Sequence, residues 1–421
     1  MSERLIIENF AGIKHAELDL RPINIFIGEH ATGKSVAAKL LYFIKDLPIN
    51  RVFWISRGQS SGEFLKSATK DFSRYFSYTM SAASDSRIRY YYDYPNRRKC
   101  IEIKIKHRTT DGVSIKFPTE LNHICALYDK DLKDLRRDNG IESERQGKRL
   151  SEKEDRLETR AFHDMFAAFK PAIISYQQYF LPAVRSLYAM IETNPFELIS
   201  RGADLDPYVV EFGRIYKRLK NDTIENDLWQ VIPNFDELLR GHYKRSQGSE
   251  YIEHTDGRTV KLRYLSSGQQ ELLPYMVVLA DLLGKFPLPK SVYFEEPESH
   301  LFPSNQRQIV ELAVLAYNKM VNGMQLTITT HSPYILTSLD NLMQAGQLAK
   351  NDKVDKTALA KVVKKELWLD PKAVGAWIFE DGECHSIIDQ ENGLIQASKI
   401  DKTSEEIAVQ FDKLLDLEFG E

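Results

Sequence analysis

The sequence predicts an α/β fold, and three observations predict it. The run Ile23-Asn24-Ile25-Phe26-Ile27 is almost continuously apolar, as a strand covered on both faces of a parallel sheet must be. It stops at Gly28, and apolar residues then recur at helical spacing through Val36, Leu40, Leu41 and Ile44. Late in the chain, strand-like segments at 292–294 and 326–330 alternate with helical patterns at 271–283 and 304–319. Two stretches of strand–helix alternation, one early and one late, read as a single sheet interrupted by an insertion.

Composition narrows the class. The chain has 421 residues, 43% hydrophobic and 28% charged, the balance of a soluble globular protein of two or three domains. Lys+Arg 57 against Asp+Glu 60 gives a net charge of −3, which excludes a uniformly basic nucleic-acid coat and leaves only a local patch for DNA. Cys100, Cys125 and Cys384 are odd in number and scattered, which excludes a disulfide framework and a CxxC zinc site and suits a reducing compartment. No apolar run approaches the roughly 20 residues that span a bilayer. Met1-Ser2-Glu3-Arg4 leads straight into strand-like residues with no signal-peptide pattern. A cytoplasmic protein without membrane contact is expected.

Four segments follow. Residues 1–48 carry two further strand-like stretches, at 5–7 and 16–20, before the buried run. Residues 49–170 form the insertion, in which 100–106 and 113–117 alternate around Thr110-Asp111-Gly112 and read as a hairpin. The stretch 130–160 is crowded with both charge signs, as solvated helices or mobile loops are. Wholly helical, it would reach only about 45 Å, and no heptad repeat runs through it, so a long coiled-coil arm is not expected. Residues 171–340 resume the α/β pattern, with further strand-like segments at 173–181, 251–253 and 260–264. Residues 341–421 are helix and short strands, a small α+β region ending in an acidic amphipathic stretch at 404–417.

The chemistry sits at strand ends. Gly28-Glu29-His30-Ala31-Thr32-Gly33-Lys34-Ser35 fits G-x-x-x-x-G-K-[ST] between a buried strand and a helix, with Val36 opening the helix. Its glycines let backbone N–H groups turn inward around phosphate oxygens, Lys34 reaches the β- and γ-phosphates, and the Ser35 hydroxyl can ligate Mg²⁺. A plain glycine-rich turn would not explain Lys and Ser together. Downstream, Ser291-Val292-Tyr293-Phe294-Glu295-Glu296-Pro297-Glu298 ends an apolar strand in two carboxylates. The first can hold Mg²⁺ and the second can polarise a water for attack on the γ-phosphate; a solvated acidic turn is the bland alternative. Leu265-Ser266-Ser267-Gly268 precedes a helix and reads either as an ordinary N-cap or as an anion site. His331 closes the strand-like run 326–330, where sheet carboxyl ends gather ligands.

Four such elements in this order resemble the ATP-binding-cassette class of ATPases, and within it the soluble branch of RecF, the SMC proteins and the OLD-like ATPases. The resemblance also rests on Ile6-Ile7-Glu8-Asn9-Phe10-Ala11-Gly12-Ile13 and on Phe180-Leu181-Pro182-Ala183-Val184-Arg185-Ser186, which is similar to the Pro-Ala-x-Arg segment of OLD-like members. It implies a P-loop ATPase head that uses ATP and Mg²⁺ and works as a homodimer or higher oligomer. Residues 28–36 would be its Walker A loop, Glu295 the Walker B metal ligand, Glu296 and Lys34 catalytic, and His331 a γ-phosphate sensor. Ser266 and Gly268 would reach ATP from the partner subunit. Glu295 stands where the wider class has Asp, and Ser267 replaces the first glycine of the transporter signature. Gln177 and Gln178 are the candidates for a Q-loop ligand, or plain surface residues.

OLD nucleases add a Toprim domain with an Asp-x-Asp, and none occurs after His331. The resemblance therefore implies a regulatory ATPase, as in the Septu and PARIS anti-phage systems, acting with a separately encoded effector, often a nuclease. A RecF-like repair ATPase and an ATP-locked scaffold are the alternatives. Arg214, Lys217, Arg218, Lys220, Arg240, Lys244 and Arg245, interleaved with Tyr216 and Tyr243, form the candidate DNA patch.

Overall fold

The computed structural model describes residues 2–76, 84–94, 99–106, 112–138, 144–169, 177–191, 205–225, 228–246, 249–284, 289–320, 323–396 and 409–411. Its strands are β1 (Ser2–Phe10), β2 (Ile13–Leu20), β3 (Ile23–Ile27), β4 (Ser86–Tyr94), β5 (Cys100–Ile105), β6 (Val113–Lys116), β7 (Gln177–Leu181), β8 (His242–Ser246), β9 (Ser249–Glu253), β10 (Thr259–Lys261), β11 (Lys290–Glu295), β12 (Met324–Thr330), β13 (Val374–Glu380) and β14 (Glu383–Ser386). Eleven of them make one sheet in the order β6-β5-β4-β1-β2-β14-β13-β3-β12-β11-β7, and β10-β9-β8 make a second, smaller one.

The fold is mixed α/β. β13, β3, β12, β11 and β7 are parallel neighbours. β6, β5, β4, β1 and β2 pair antiparallel. Strand periodicity explains why the parallel strands read as unbroken apolar runs. Ile23, Ile25 and Ile27, with Val292, Phe294, Leu326 and Ile328, pack on one face beneath the helices Ser267–Leu283, Pro303–Lys319 and Pro333–Ala349. Phe26, Phe180 and Tyr293 point to the other face, against the helix Lys34–Ser56. Both faces of this half are therefore dry.

The insertion and the C-terminal region enter the same sheet. β4, β5 and β6 extend it beyond β1, with Ile103 opposite Ile115 as the hairpin pattern predicts. β13 lies directly beside β3 and turns back at Asp381-Gly382 into β14, the hairpin turn that an Asp-Gly pair favours. The described residues of the charge-crowded stretch belong to two helices, Thr119–Asp138 and Glu144–Phe169, and residues 139–143 lie outside the described residues. Leu121, Cys125, Tyr128 and Leu132 of the first are buried at helical spacing, with Ala161, Phe162 and Met165 of the second, in the layer that covers Lys34–Ser56. Most of the acidic stretch at 404–417 lies outside the described residues. Cys100, Cys125 and Cys384 are unpaired.

One half-buried acid sets a pH dependence. Asp46, on the helix after the phosphate loop, is pushed up to about 7 by burial and then by the neighbouring Glu211 carboxylate. Its proton is held more tightly in the folded than in the unfolded chain, so stability is lost as pH rises from about 4 towards 7 and the loss persists above. Asp46→Asn, which keeps the shape without the charge, is expected to raise the thermal midpoint at pH 8 and to leave it unchanged at pH 4. Equal gains at both pH values would exclude ionisation as the cause.

Candidate active site

The phosphate loop, the acidic turn, the histidine and the Pro-Ala-x-Arg segment each lie at the carboxyl end of a parallel strand. β3 runs into Gly28, β12 into His331, β11 into Glu296 and β7 into Pro182-Ala183-Val184-Arg185. The registers Ile27 with Thr330, Glu295 with Thr329 and Leu181 with Phe294 align these ends in one row. The crevice beyond aligned carboxyl ends is where open α/β sheets bind ligands.

The phosphate loop is shaped by two close approaches. A Cβ on Gly28 would lie 2.3 Å from the Phe379 carbonyl oxygen of β13, and one on Gly33, at φ +103°, would lie 2.5 Å from Ile13 Cγ1. Only glycine fits either place. Ala31 also has positive φ, and Glu29, His30 and Ala31 form an exposed crest over Thr32, whose hydroxyl donates to the Glu29 carbonyl at 2.9 Å. The helix Lys34–Ser56 begins at once, with Ser35 and Val36 half-buried in its first turn. Lys34 is 4% exposed, and its ammonium folds back onto the carbonyls of Gly28, at 2.7 Å, and Glu29. Burial lowers its pKa, against the upward pull of Glu296, Glu298 and Glu29. The three carboxylates favour the charged ammonium, and that positive charge is what can meet a phosphate entering the loop.

Glu295 is buried and accepts the Ala183 N–H at 3.1 Å through Oε2. Glu296 is half-buried and adopts φ +46°, a left-handed backbone, while its N–H continues the ladder to the Thr329 carbonyl at 2.9 Å. A third carboxylate, passed over in the sequence reading, completes the turn. Glu298 is 5% exposed, and its Oε1 accepts the Thr330 hydroxyl and the His331 N–H, both at 2.7 Å. His331 Nδ1 lies 3.3 Å from Glu298 Oε1 and 4.0 Å from Glu296 Oε1. Glu298 thus fixes where His331 stands. Glu298 Oε2 and the Thr329 hydroxyl are buried without a hydrogen-bond partner. The oxygen donors of Ser35 and Glu295 are of the kind Mg²⁺ takes, and the orphaned Glu298 Oε2 leaves a buried carboxylate oxygen free for a bound water.

Arg185 ties the parts together. It is fully buried and stacks on Tyr275, with its guanidinium carbon 4.5 Å from the ring centroid. Its Nη1 donates to the carbonyls of Pro182 at 2.9 Å and Glu295 at 2.7 Å, and its Nη2 to that of Glu296 at 3.0 Å. Its Nε pairs with Glu271 at 3.0 Å, and Glu271 also accepts the Ser186 N–H at 2.9 Å. Glu271 belongs to the helix Ser267–Leu283, so one guanidinium joins the Glu295–Glu296 peptide to the signature helix. At that helix's start Ser266 is the N-cap, in a capping box with Gln269. Gly268 packs on the turn after Glu296, since a Cβ there would stand 3.0 Å from the His300 carbonyl oxygen.

Several sequence candidates fall elsewhere. Gln178 is buried inside β7, donating to the Tyr42 carbonyl at 3.2 Å and accepting from the Tyr293 hydroxyl at 3.1 Å, and Gln177 accepts from Tyr179 at 2.9 Å. Both stand at the amino end of β7, away from the phosphate loop, so neither is a Q-loop ligand. In the DNA patch, Arg214, Lys217, Arg218, Arg240, Lys244 and Arg245 are exposed. Tyr216 and Lys220 are buried, Lys220 against Glu250, and cannot stack on bases or meet phosphates. The signal was available: Tyr208, Phe212, Tyr216, Leu219 and Lys220 follow the buried stripe of the helix Pro207–Glu225.

Comparison with solved structures returns SMC heads at low similarity. An Smc head bound to the C-terminal winged-helix domain of ScpA is 11% identical, with 93% of this chain and 98% of that chain covered at a TM-score of 0.41. The SMC head domain of Thermotoga maritima is 10% identical, with 92% and 98% covered at 0.37. An Smc head with coiled coil and joint from Pyrococcus yayanosii is 11% identical, with 96% and 99% covered at 0.40. Scores of this size do not establish a shared fold, and the α/β class rests on the sheet itself. No curated protein is significantly similar in sequence. Among the described residues no helix is long and apolar enough to cross a membrane. The family model described as "AAA domain, putative AbiEii toxin, Type IV TA system" matches residues 23–337, from the strand before the phosphate loop to the helix after His331. Matched over most of its length, the chain belongs to this family of AAA-domain proteins.

Proposed function

We propose that the protein binds and hydrolyses Mg²⁺·ATP as a homodimer, and that its nucleotide state controls a separately encoded effector, a nuclease, in prokaryotic defence against phage. The row of strand ends carrying Gly28, Glu296, His331 and Arg185 carries this reading. Lys34 and the N–H groups of residues 29–35 would hold the phosphates. Ser35 and Glu295 would hold Mg²⁺, which when bound neutralises charge on the β- and γ-phosphate oxygens. Glu296 would take a proton from the attacking water, and His331, held by Glu298, would contact the γ-phosphate.

The dimer is supported by exposed apolar side chains beside the motifs. Val184, Tyr264, Phe302 and Tyr334 are each at least half exposed, and each lies within three residues of Arg185, Ser266, His300 or His331. A second subunit laid on this face would cover them and bring its Ser266 and Gly268 to the phosphates. The effector role is supported by the family's reference to toxin–antitoxin systems.

The test is ATP affinity and cleavage measured together. Lys34→Ala is expected to weaken ATP binding about 10–100-fold, as loss of hydrogen bonds to a charged group does. The chain alone is expected to cleave neither DNA nor RNA with Mg²⁺ or Mn²⁺, and to do so only with the product of a neighbouring gene. Cleavage by the isolated chain that survives Lys34→Ala would overturn the regulatory reading.

A further inference from the structure

The crest of the phosphate loop and the ends of β11 and β12 bring His30, which ATP hydrolysis does not call for, together with Glu296 and His331. One ligand atom each from His30, Glu296 and His331 lies within 4.8 Å of the others. The two imidazole rings face each other at 5.0 Å between centroids, tilted by 54°. We propose that these three residues form a site for a divalent transition-metal ion, with Zn²⁺ the best match, in the nucleotide-free protein.

The donor chemistry selects the metal. Mg²⁺ takes oxygen ligands, whereas two imidazoles and one carboxylate suit Zn²⁺ and its transition-metal neighbours. Three protein ligands with one position left to water is the pattern of an open zinc site. Ligand atoms around tetrahedral zinc stand about 3.4 Å apart, given bonds of about 2.0–2.1 Å. The observed spacing must close by about an ångström or more, and the exposed His30 and the 41% exposed side chain of His331 have room to turn.

Glu298 supplies the outer support. A histidine that binds metal through one nitrogen is usually held through the other by a carboxylate. Glu298 Oε1 lies 3.3 Å from His331 Nδ1 and is itself fixed by the Thr330 hydroxyl and the His331 N–H. That arrangement favours the proton on Nδ1 and leaves the Nε2 lone pair for a metal. Glu296 projects from a left-handed backbone clamped by Arg185, which carries its carboxylate out of the strand and towards the two rings. Such an ion would bridge the phosphate loop to β12 and occupy Glu296. On the nucleotide-site reading above, metal and ATP would therefore exclude each other.

The test uses untagged protein without nucleotide, so its outcome is independent of whether the chain hydrolyses ATP. Calorimetric titration with ZnCl₂ is expected to show one saturable site, tighter than any heat seen with MgCl₂. CoCl₂ is expected to develop the intense visible absorption of a low-coordinate, imidazole-bound ion. His30→Ala and His331→Ala, checked for an unchanged thermal midpoint without metal, are each expected to weaken Zn²⁺ at least tenfold and abolish the cobalt bands. Glu298→Gln is expected to weaken Zn²⁺ by about 10–100-fold, the usual loss for an outer-shell partner. Zn²⁺ affinity unchanged in His30→Ala, or no saturable Zn²⁺ binding by the wild type, would overturn the proposal.

Discussion

Glu296→Gln is expected to lower ATP turnover by about 10²–10⁴-fold while ATP remains bound, the range that a general base contributes. The carboxylate stands at the carboxyl end of β11, on the side of the crevice facing Lys34, whose ammonium feels its charge. Glutamine keeps the volume and one hydrogen-bonding oxygen but cannot accept a proton from water. Glu298 has a different task, since its Oε1 accepts the Thr330 hydroxyl and the His331 N–H and so positions the histidine. Phosphate binding should survive, since Lys34 and the loop N–H groups are untouched. Single-turnover hydrolysis and equilibrium ATP binding separate the two effects, and size-exclusion chromatography with ATP should show an accumulated dimer. Turnover equal to the wild type would remove Glu296 from the catalytic role.

The second large effect concerns a residue at the heart of the fold. Arg185→Met is expected to cost about 3–5 kcal/mol of stability, as loss of one partner of a buried ion pair does. Glu271, 1% exposed, would be left without its cation, and the carbonyls of Pro182, Glu295 and Glu296 would lose the bonds that Arg185 donates. The double substitution Arg185→Met with Glu271→Leu removes the orphaned charge and is expected to recover much of that loss. It should not recover turnover, because the left-handed peptide at Glu296 then loses the Arg185 clamp on its carbonyl. Chemical denaturation midpoints report the first effect, and kcat against ATP affinity reports the second. An unchanged midpoint in Arg185→Met would show that the ion pair contributes nothing to the fold.

The site divides by how far apart in sequence its parts lie. Residues 28–36 were legible because strand, loop and helix follow one another, and only glycine, lysine and serine in that order suit a phosphate. Glu295 and Glu296 were legible as carboxylates ending an apolar run. Glu298 stood two residues further on and was passed over, since its role depends on Thr330 and His331 across the strand pair. Gln178 and Tyr216 were misread because burial belongs to a face. Gln178 points between β7 and the helix Lys34–Ser56, and Tyr216 lies on the apolar stripe of its helix.

The sequence by itself determined the α/β class, the phosphate loop, the acidic end of β11 and the cap before the signature helix. Each is a local pattern whose energetics reside in one strand, one turn or one helix start, so a window of about ten residues contains its cause. Only the tertiary structure decided that β13 lies beside β3 and seals Gly28, and that β4, β5 and β6 extend the sheet beyond β1. It also decided that Arg185 joins Glu271 to the Glu295–Glu296 peptide, and that His30 meets His331. No local window holds these facts. Which strands become neighbours depends on covering every apolar face at once, and individual cross-strand pairs contribute only about 0.2–1 kcal/mol each.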